Sequence, residues 1–473
     1  MTEDSKDIIE QDLNKAINFL GQNKFSEAES ICNEIIKEKN NSDAYHILSS
    51  IKLYKQEFNE SIELVNKSIE INSENPGYYV TLGCAHSASK DYKNSIKAFK
   101  KAISLNAEVA QVHFYLGESY RKLKKYNDAI ASFYRTIELS PDHFAAYMLL
   151  GLVYQEKKQF DLSVQSFKKC IEIMPDYPEA HLNLGLCYLL VGDYENGWRE
   201  YEWRKKLTKL PSDDLKKEWT GQSLDNKTLL ILHEGNENLL HFIRFAKELH
   251  KDNCKIILQC SNAAMELMVN QKWINEVVSE DSIPEHDYHV HIGSLMKVLQ
   301  CNPNNLSQEY PYLDSKNKKV QSSEKDKLNI GVVIETSRES NAHDDESIDE
   351  ETFINVFNDT HNIICLDEKI EKANLPTLYN KHFNYTDLDE LARFVSSLDL
   401  VITVDHLVAH LAGALNVNTI LMLPCVPNWR WEITHRNTTP WYKSVTIFRQ
   451  ETPGDWKSVI KKVKEKLEEN IHV

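Results

Sequence analysis

LDLVITVDHLVAHLAGALNVNTILMLPCVPNWRW, running from Leu398 to Trp431, decides how the carboxy-terminal half of the chain folds. Leu400 to Val404 is an apolar strand run that turns at Asp405. A helical run follows to about Leu415, rich in small residues (Ala409, Ala412, Gly413, Ala414), and Thr419 to Leu423 is the next strand. Strand, helix and strand at this spacing make one right-handed βαβ unit. In such a unit the helix N-terminus faces the ligand crevice, where unpaired N–H groups and the helix dipole favour an anion, typically a phosphate. Small residues let the helix lie close to the sheet and a ligand approach the backbone. Asp405 therefore reads either as a helix cap or as an acceptor for a ligand hydroxyl. His410 reads either as a packed histidine or as part of the site.

Alternating strands and helices extend upstream from this unit. Lys227–Leu232, Lys255–Gln259 and Tyr288–Ile292 read as strands, with helices at Leu239–His250 and Ala263–Asn270. The charged stretch from Asp314 to Lys327 lacks apolar periodicity and reads as a linker. A second set follows: strands at Leu328–Ile334 and Asn362–Leu366, helices at Glu351–Phe357 and Asp387–Ser397, and a closing amphipathic helix at Asp455–Asn470.

The first 200 residues have a different period. Leu-Gly recurs at Leu82-Gly83, Leu116-Gly117, Leu150-Gly151 and Leu184-Gly185, a constant step of 34 residues. Aromatics open the second half of each unit (Phe25, Phe58, Tyr92, Tyr126, Phe160, Tyr194), and Phe99, Phe133, Phe167 and Tyr201 follow as knobs. These residues resemble the tetratricopeptide repeat, a helix–turn–helix unit that buries its apolar face only by stacking on its neighbours. Six units cover residues 8–207. The fold implies a groove that holds a peptide or protein segment, with Phe114, Glu118, Arg121, Met148, Leu182 and Asn183 as its candidate lining. Neither a lysine/asparagine carboxylate clamp nor an asparagine ladder is present, so a scaffold packing on protein is the plainer expectation. Trp198, Tyr201 and Trp203, in the terminal half-unit, are expected to dock it on the domain that follows.

Composition excludes several classes. A net charge of -16 argues against sequence-independent binding to nucleic acid or to an anionic membrane, since both need basic surface. The amino terminus, MTEDSKDIIEQ, is not a secretory signal, and no apolar run is long enough to span a bilayer. The 9 cysteines include no CxxC pair, so buried thiols in a reducing cytoplasm are expected.

DHLVAHLAGAL (Asp405–Leu415), LPCVPNWRW (Leu423–Trp431), TPWYKSVTIFRQ (Thr439–Gln450) and GDW (Gly454–Trp456) together resemble bacterial repeat proteins whose carboxy-terminal half is similar to heptosyltransferases, glycosyltransferase family nine. GDYENGWREYEWRKK (Gly192–Lys206) and the W-x-G-x-x-L of Trp219–Leu224 match the joint of those proteins. The resemblance implies an α-solenoid followed by a two-lobed GT-B, double Rossmann-like, α/β domain. Its parts would be a connector at 208–226, an acceptor lobe at 227–313, a linker at 314–327 and a nucleotide-sugar lobe at 328–473. It further implies a cytoplasmic transferase that needs neither cofactor nor metal and moves a sugar from a nucleotide-sugar donor to a protein or saccharide acceptor brought by the repeats. Asp405, His406, His410 and Gly413 would form the donor site, with Arg430 pairing with phosphate and Trp429 or Trp431 covering a ring.

Two loops depart from that pattern. The usual E-Q-G-x-G-D reads His233-Glu234-Gly235-Asn236-Glu237-Asn238 here, which replaces the acid with an amide that cannot act as a base. Glu234 or Glu237 would have to serve as the catalytic carboxylate. The usual W-A-G-N turn has become Ile334-Glu335-Thr336-Ser337, leading into the acidic Glu339–Glu351 loop. Asp344, Asp345 and Glu346 there read as a solvated loop more readily than as a divalent-ion site. His406 and His410 stand four apart on one helix but lack a third ligand, so no metal is expected. The altered loops keep a second reading open: a transferase-like half that has lost its chemistry within a repeat-based binding or assembly scaffold.

Overall fold

The computed structural model describes residues 3–106, 109–208, 217–249, 253–302, 310–315, 327–334, 348, 353, 356–357, 361–366, 381–383, 385–434 and 437–470. They form two compact units, Met1–Ala180 and His181–Val473.

The first unit is a stack of antiparallel helix pairs. α1 (Glu3–Gly21) pairs with α2 (Phe25–Glu38), α3 (Ser42–Tyr54) with α4 (Phe58–Ile71), and α5 (Pro76–Ala88) with α6 (Tyr92–Ser104). α7 (Ala110–Lys122) pairs with α8 (Tyr126–Leu139), and α9 (Phe144–Glu156) with α10 (Phe160–Ile173). Turn chemistry repeats with the same step. Gln56, Lys90, Lys124 and Lys158 all take a left-handed backbone between the two helices of a pair. Asn41 caps α3 by accepting from the Ala44 N–H, and Asn75 caps α5 ahead of Pro76. Inside each pair the glycine of the Leu-Gly step lets an aromatic knob touch the helix backbone. A Cβ on Gly83, Gly117 or Gly151 would lie 2.5, 2.6 or 2.4 Å from the ring of Phe99, Phe133 or Phe167. Buried hydroxyls fasten the same pairs: Ser95 donates to the Gly83 carbonyl at 2.9 Å and Ser163 to the Gly151 carbonyl at 2.8 Å.

The sixth helix pair, α11 (Pro178–Leu190) and α12 (Tyr194–Tyr201), belongs to the second unit almost entirely. Its turn residue is Gly192, at φ +82, the next left-handed position in the series.

Two sheets follow. The first contains β1 (Lys217–Glu218), β2 (Thr228–Leu232), β3 (Lys255–Cys260), β4 (Glu276–Ser279) and β5 (Tyr288–His291), all parallel, in the order β1-β5-β2-β3-β4. Its helices are α13 (Asn236–Leu249), α14 (Asn262–Val269) and the short α15 (Leu295–Val298). β1 and β4 carry too little apolar periodicity to be found from sequence, and α13 begins three residues earlier than the sequence suggests. Asn236, Glu237 and Asn238 are thus the first turn of a helix rather than loop.

The second sheet contains β6 (Leu328–Val333), β7 (His361–Cys365), β8 (Lys381–His382), β9 (Leu400–Thr403), β10 (Thr419–Leu423), β11 (Thr438–Thr439) and β12 (Tyr442–Arg449). The order is β11-β12-β10-β9-β6-β7-β8, parallel except for the β11 edge. α16 (Leu388–Val395), α17 (Leu407–Ala414) and α18 (Trp456–Asn470) belong to this half. Val459, Ile460, Val463 and Leu467 of α18 close one sheet face over Ile330, Ile402 and Met422. The two halves meet through helices, α13 against α17 and α14 against α16. The Tyr312 N–H also donates to the Ala414 carbonyl at 3.1 Å. The architecture is therefore a tetratricopeptide-type solenoid followed by an α/β unit. The expected helix at Glu351–Phe357 and the acidic loop with Asp344, Asp345 and Glu346 lie largely or wholly outside the described residues, as does most of the expected linker. Among the described residues no helix is long and apolar enough to cross a membrane.

Candidate functional site

In an open α/β sheet ligands bind beyond the strand carboxyl ends where the strand order reverses. In the second sheet that point lies between β6 and β9, and Asp405 follows β9 directly. In the first sheet it lies between β2 and β5, beside the Glu234 loop. Both sequence-derived candidate sites stand where the topology puts ligands. At each point the candidate carboxylate is bonded to one of the protein's own side chains, Asp405 to Trp431 and Glu234 to Arg204.

Trp431 is fully buried at the start of α17. Its Nε1–H donates to the Asp405 carboxylate at 2.7 Å, and its ring stacks on His410 with centroids 4.8 Å apart and planes 14° from parallel. His406 caps the helix, its Nδ1 accepting from the Val408 N–H at 3.2 Å. Asp405 thus holds an indole, and His406 performs the capping that the sequence offered to Asp405. Gly413 faces the Tyr442 ring, which a Cβ there would approach to 2.4 Å; its smallness serves packing.

His410 continues into a buried polar cluster. Tyr442 Oη lies 2.8 Å from His410 Nδ1 and 3.1 Å from His241 Nδ1. One hydroxyl proton cannot serve both rings, so at least one histidine carries its proton on Nδ1. Burial, with Arg430 and Arg244 nearby, holds the His410 pKa well below its usual value, and burial with Arg244 does the same for His241. Arg244 spans the two halves: it donates to the Trp441 carbonyl at 2.5 Å and to Tyr312 Oη at 2.8 Å, and lies over the Tyr312 ring at 4.2 Å. Tyr312 in turn donates to the Leu240 carbonyl at 2.7 Å. Sequence reading missed this group. Its signal was a histidine and an arginine three apart inside the apolar run LLHFIRF of α13.

Arg430 donates to the Asn238 side chain, and its guanidinium lies 4.7 Å from the Trp429 ring centroid. Trp429 is buried against Phe242 (6.0 Å, stacked) and edge-on to Trp198 (5.3 Å). Trp198 and Tyr201 thus dock the terminal repeat helix on the α/β halves as expected. Trp203 instead stacks on His181 of α11 at 3.7 Å.

The Glu234 carboxylate is committed elsewhere. It takes two hydrogen bonds from Arg204, both 2.9 Å, and one from the Gly293 N–H at 2.8 Å. Burial, the largest influence, would raise its pKa, but the Arg204 guanidinium, His291 and the Gly293 N–H together hold it below the ordinary carboxylate value. Arg204 also reaches Glu202 and Ser294, at 2.9 and 3.0 Å. A depressed, triply bonded carboxylate is a poor general base. Glu237, on the first turn of α13, is half-buried and remains the other candidate. Two clefts in this unit lie away from Asp405. One, of about 550 Å³, includes Tyr194, Trp198, Arg199 and Lys297 in its lining; the other, of about 480 Å³, includes Asp399, Asn418 and Lys466.

Of the groove candidates, Phe114, Glu118, Arg121 and Met148 lie in the first unit, Leu182 and Asn183 in the second. Phe114 and Glu118 are half-buried and Met148 is buried. Arg121 pairs with Glu156 of the next unit at 3.3 Å.

No curated protein matches the chain. Among solved structures, YrrB, described as a TPR protein with an unusual peptide-binding site, is 19% identical over 38% of this chain and 93% of its own, with a TM-score of 0.34. MamA of Desulfovibrio magneticus RS-1 is 20% identical over 35% and 92%, at 0.32. The pilF protein of Pseudomonas aeruginosa is 14% identical over 43% and 92%, at 0.39. Residues 110–143, and residues 42–75, 76–109 and 144–177, match the tetratricopeptide repeat. The amino-terminal region of this protein is built of tetratricopeptide repeats.

Proposed function

We propose that the protein is a repeat-based binding or assembly scaffold, its solenoid groove holding a peptide or protein segment, with an α/β unit that resembles a glycosyltransferase but is closed to a donor. One observation carries this reading: the Trp431 indole engages Asp405 and stacks on His410, two of the residues that the resemblance assigns to the donor. The Arg204–Glu234 pair at the other switch point supports it, because it uses the carboxylate that catalysis would need. Protein binding is also what the repeats by themselves suggest.

A second reading, a GT-B-like glycosyltransferase that takes a nucleotide-sugar donor, is favoured by the placement of Asp405 at the reversal of strand order. It requires Trp431 to swing off Asp405 and Glu237 to act as the base. A thermal-shift screen with ADP-, GDP-, UDP- and CMP-sugars separates the two. A donor at a hundred times its dissociation constant would add about 2.7 kcal/mol. The scaffold reading expects no shift with any donor. A shift that Asp405→Ala abolishes would overturn it.

A further inference from the structure

The first helices of successive repeats touch one another, α3 to α5, α5 to α7 and α7 to α9, and so form one layer of the solenoid. Equivalent positions along that layer carry half-buried apolar side chains: Val80 and Phe114, Tyr115 and Leu149, Cys84 and Leu152. One carboxylate interrupts them. Glu118 takes the position held by Cys84 one unit earlier and by Leu152 one unit later, a step of 34 residues each way. It shares its helix face with Phe114 and Tyr115, four and three residues before it.

Among the described residues Glu118 has no hydrogen-bond or ion-pair partner, and the neighbouring Arg121 is occupied by Glu156. A carboxylate is acceptor-only, so without a protein donor Glu118 depends on solvent, from which the half-buried helix face partly screens it. Burial accordingly raises its pKa, against the weaker pull of Arg121 and Lys122. An incoming cation would replace that solvent with a charged donor, whereas an acidic ligand would meet repulsion here and from a chain of net charge -16.

We infer that the groove takes a peptide segment in which a lysine or arginine lies between apolar residues, its cation on Glu118 and its stem along Phe114 and Tyr115. The aliphatic stem of such a residue covers apolar surface while its head stays at the polar group. The inference rests on the reading that the repeats hold a peptide, and adds the chemistry of that peptide.

Selection of phage-displayed random dodecapeptides on the full chain, wild type and Glu118→Gln and Glu118→Lys, tests it, with circular-dichroism melts showing that the variants fold. Peptides selected on the wild type should share a basic residue at fixed spacing from aliphatic ones. Their affinity for Glu118→Gln should fall about tenfold, as expected on removing a charged hydrogen-bond partner. Glu118→Lys should select acidic residues at that spacing instead. Peptides without a basic position, or equal binding to Glu118→Gln, would overturn the inference and leave groove binding standing. Failure to select any peptide would overturn both.

Discussion

Trp431 holds Asp405 and Arg204 holds Glu234, and single substitutions measure what each contact contributes. Trp431→Phe keeps a ring on His410 but removes the Nε1–H that Asp405 accepts. It is expected to cost about 1.5–3 kcal/mol, the range for a hydrogen bond to a charged group. All eight tryptophans of the chain lie in the second unit, so urea unfolding followed by their fluorescence reports that unit alone. Glu234→Ala strands Arg204, which is 7% exposed, with Glu202 as its remaining carboxylate. Breaking a buried pair on one side costs about 3–5 kcal/mol. Gly293→Ala should destabilise in the same direction, because its Cβ would fall 2.8 Å from Glu234 Oε2 and 2.9 Å from Arg204 Nη2. Were Glu234→Ala neutral, the Arg204–Glu234 pair would not be holding this part of the fold together.

The helix pair is the element whose tolerance is narrowest. In α9 and α10 the Gly151 position meets the Phe167 ring at 2.4 Å, so Gly151→Val forces the helices apart. Overpacking of this kind costs about 1–3 kcal/mol. Phe167→Leu alone leaves a gap, but combined with Gly151→Val it should recover part of the loss. A far-ultraviolet circular-dichroism melt of the four proteins would show that coupling, and strict additivity would refute direct contact as its cause. The same argument applies at Gly83 and Gly117, where the knobs are Phe99 and Phe133.

For the whole α/β unit, pH is the informative variable. His241 and His410 have pKa values well below 6.5 when folded, so the unfolded chain takes up protons first. Their contribution is present above about pH 6.5 and is lost as the pH falls below it, with a slope of up to roughly 1.4 kcal/mol per pH unit per histidine. Glu234, with its pKa depressed, adds stability that is present above the unfolded carboxylate value of about 4.5 and is lost as the pH falls on through its folded value. Tryptophan-monitored urea unfolding between about pH 5 and 7.5 should therefore show stability rising with pH, and His410→Asn should flatten the slope. An unchanged slope in that variant would remove the buried histidine as its source.

The repeats were legible in the linear sequence because their stabilising contacts are local. Leu-Gly, the aromatic knob and the turn residue recur every 34 positions, and each satisfies its neighbour within one or two units. The strand–helix–strand pattern of the organising βαβ unit was legible for the same reason: period and turn chemistry are properties of short segments. The fate of the side chains at the two switch points was not. Arg204 reaches Glu234 across 30 residues, Trp431 reaches Asp405 across 26, and Tyr442 reaches His241 across 201. Residue type alone allows Asp405 to hold a sugar hydroxyl or an indole, since a carboxylate accepts from either donor. Which donor reaches each carboxylate is set by how two α/β halves and a terminal repeat helix pack, and that packing brings Trp431 to Asp405 and Arg204 to Glu234.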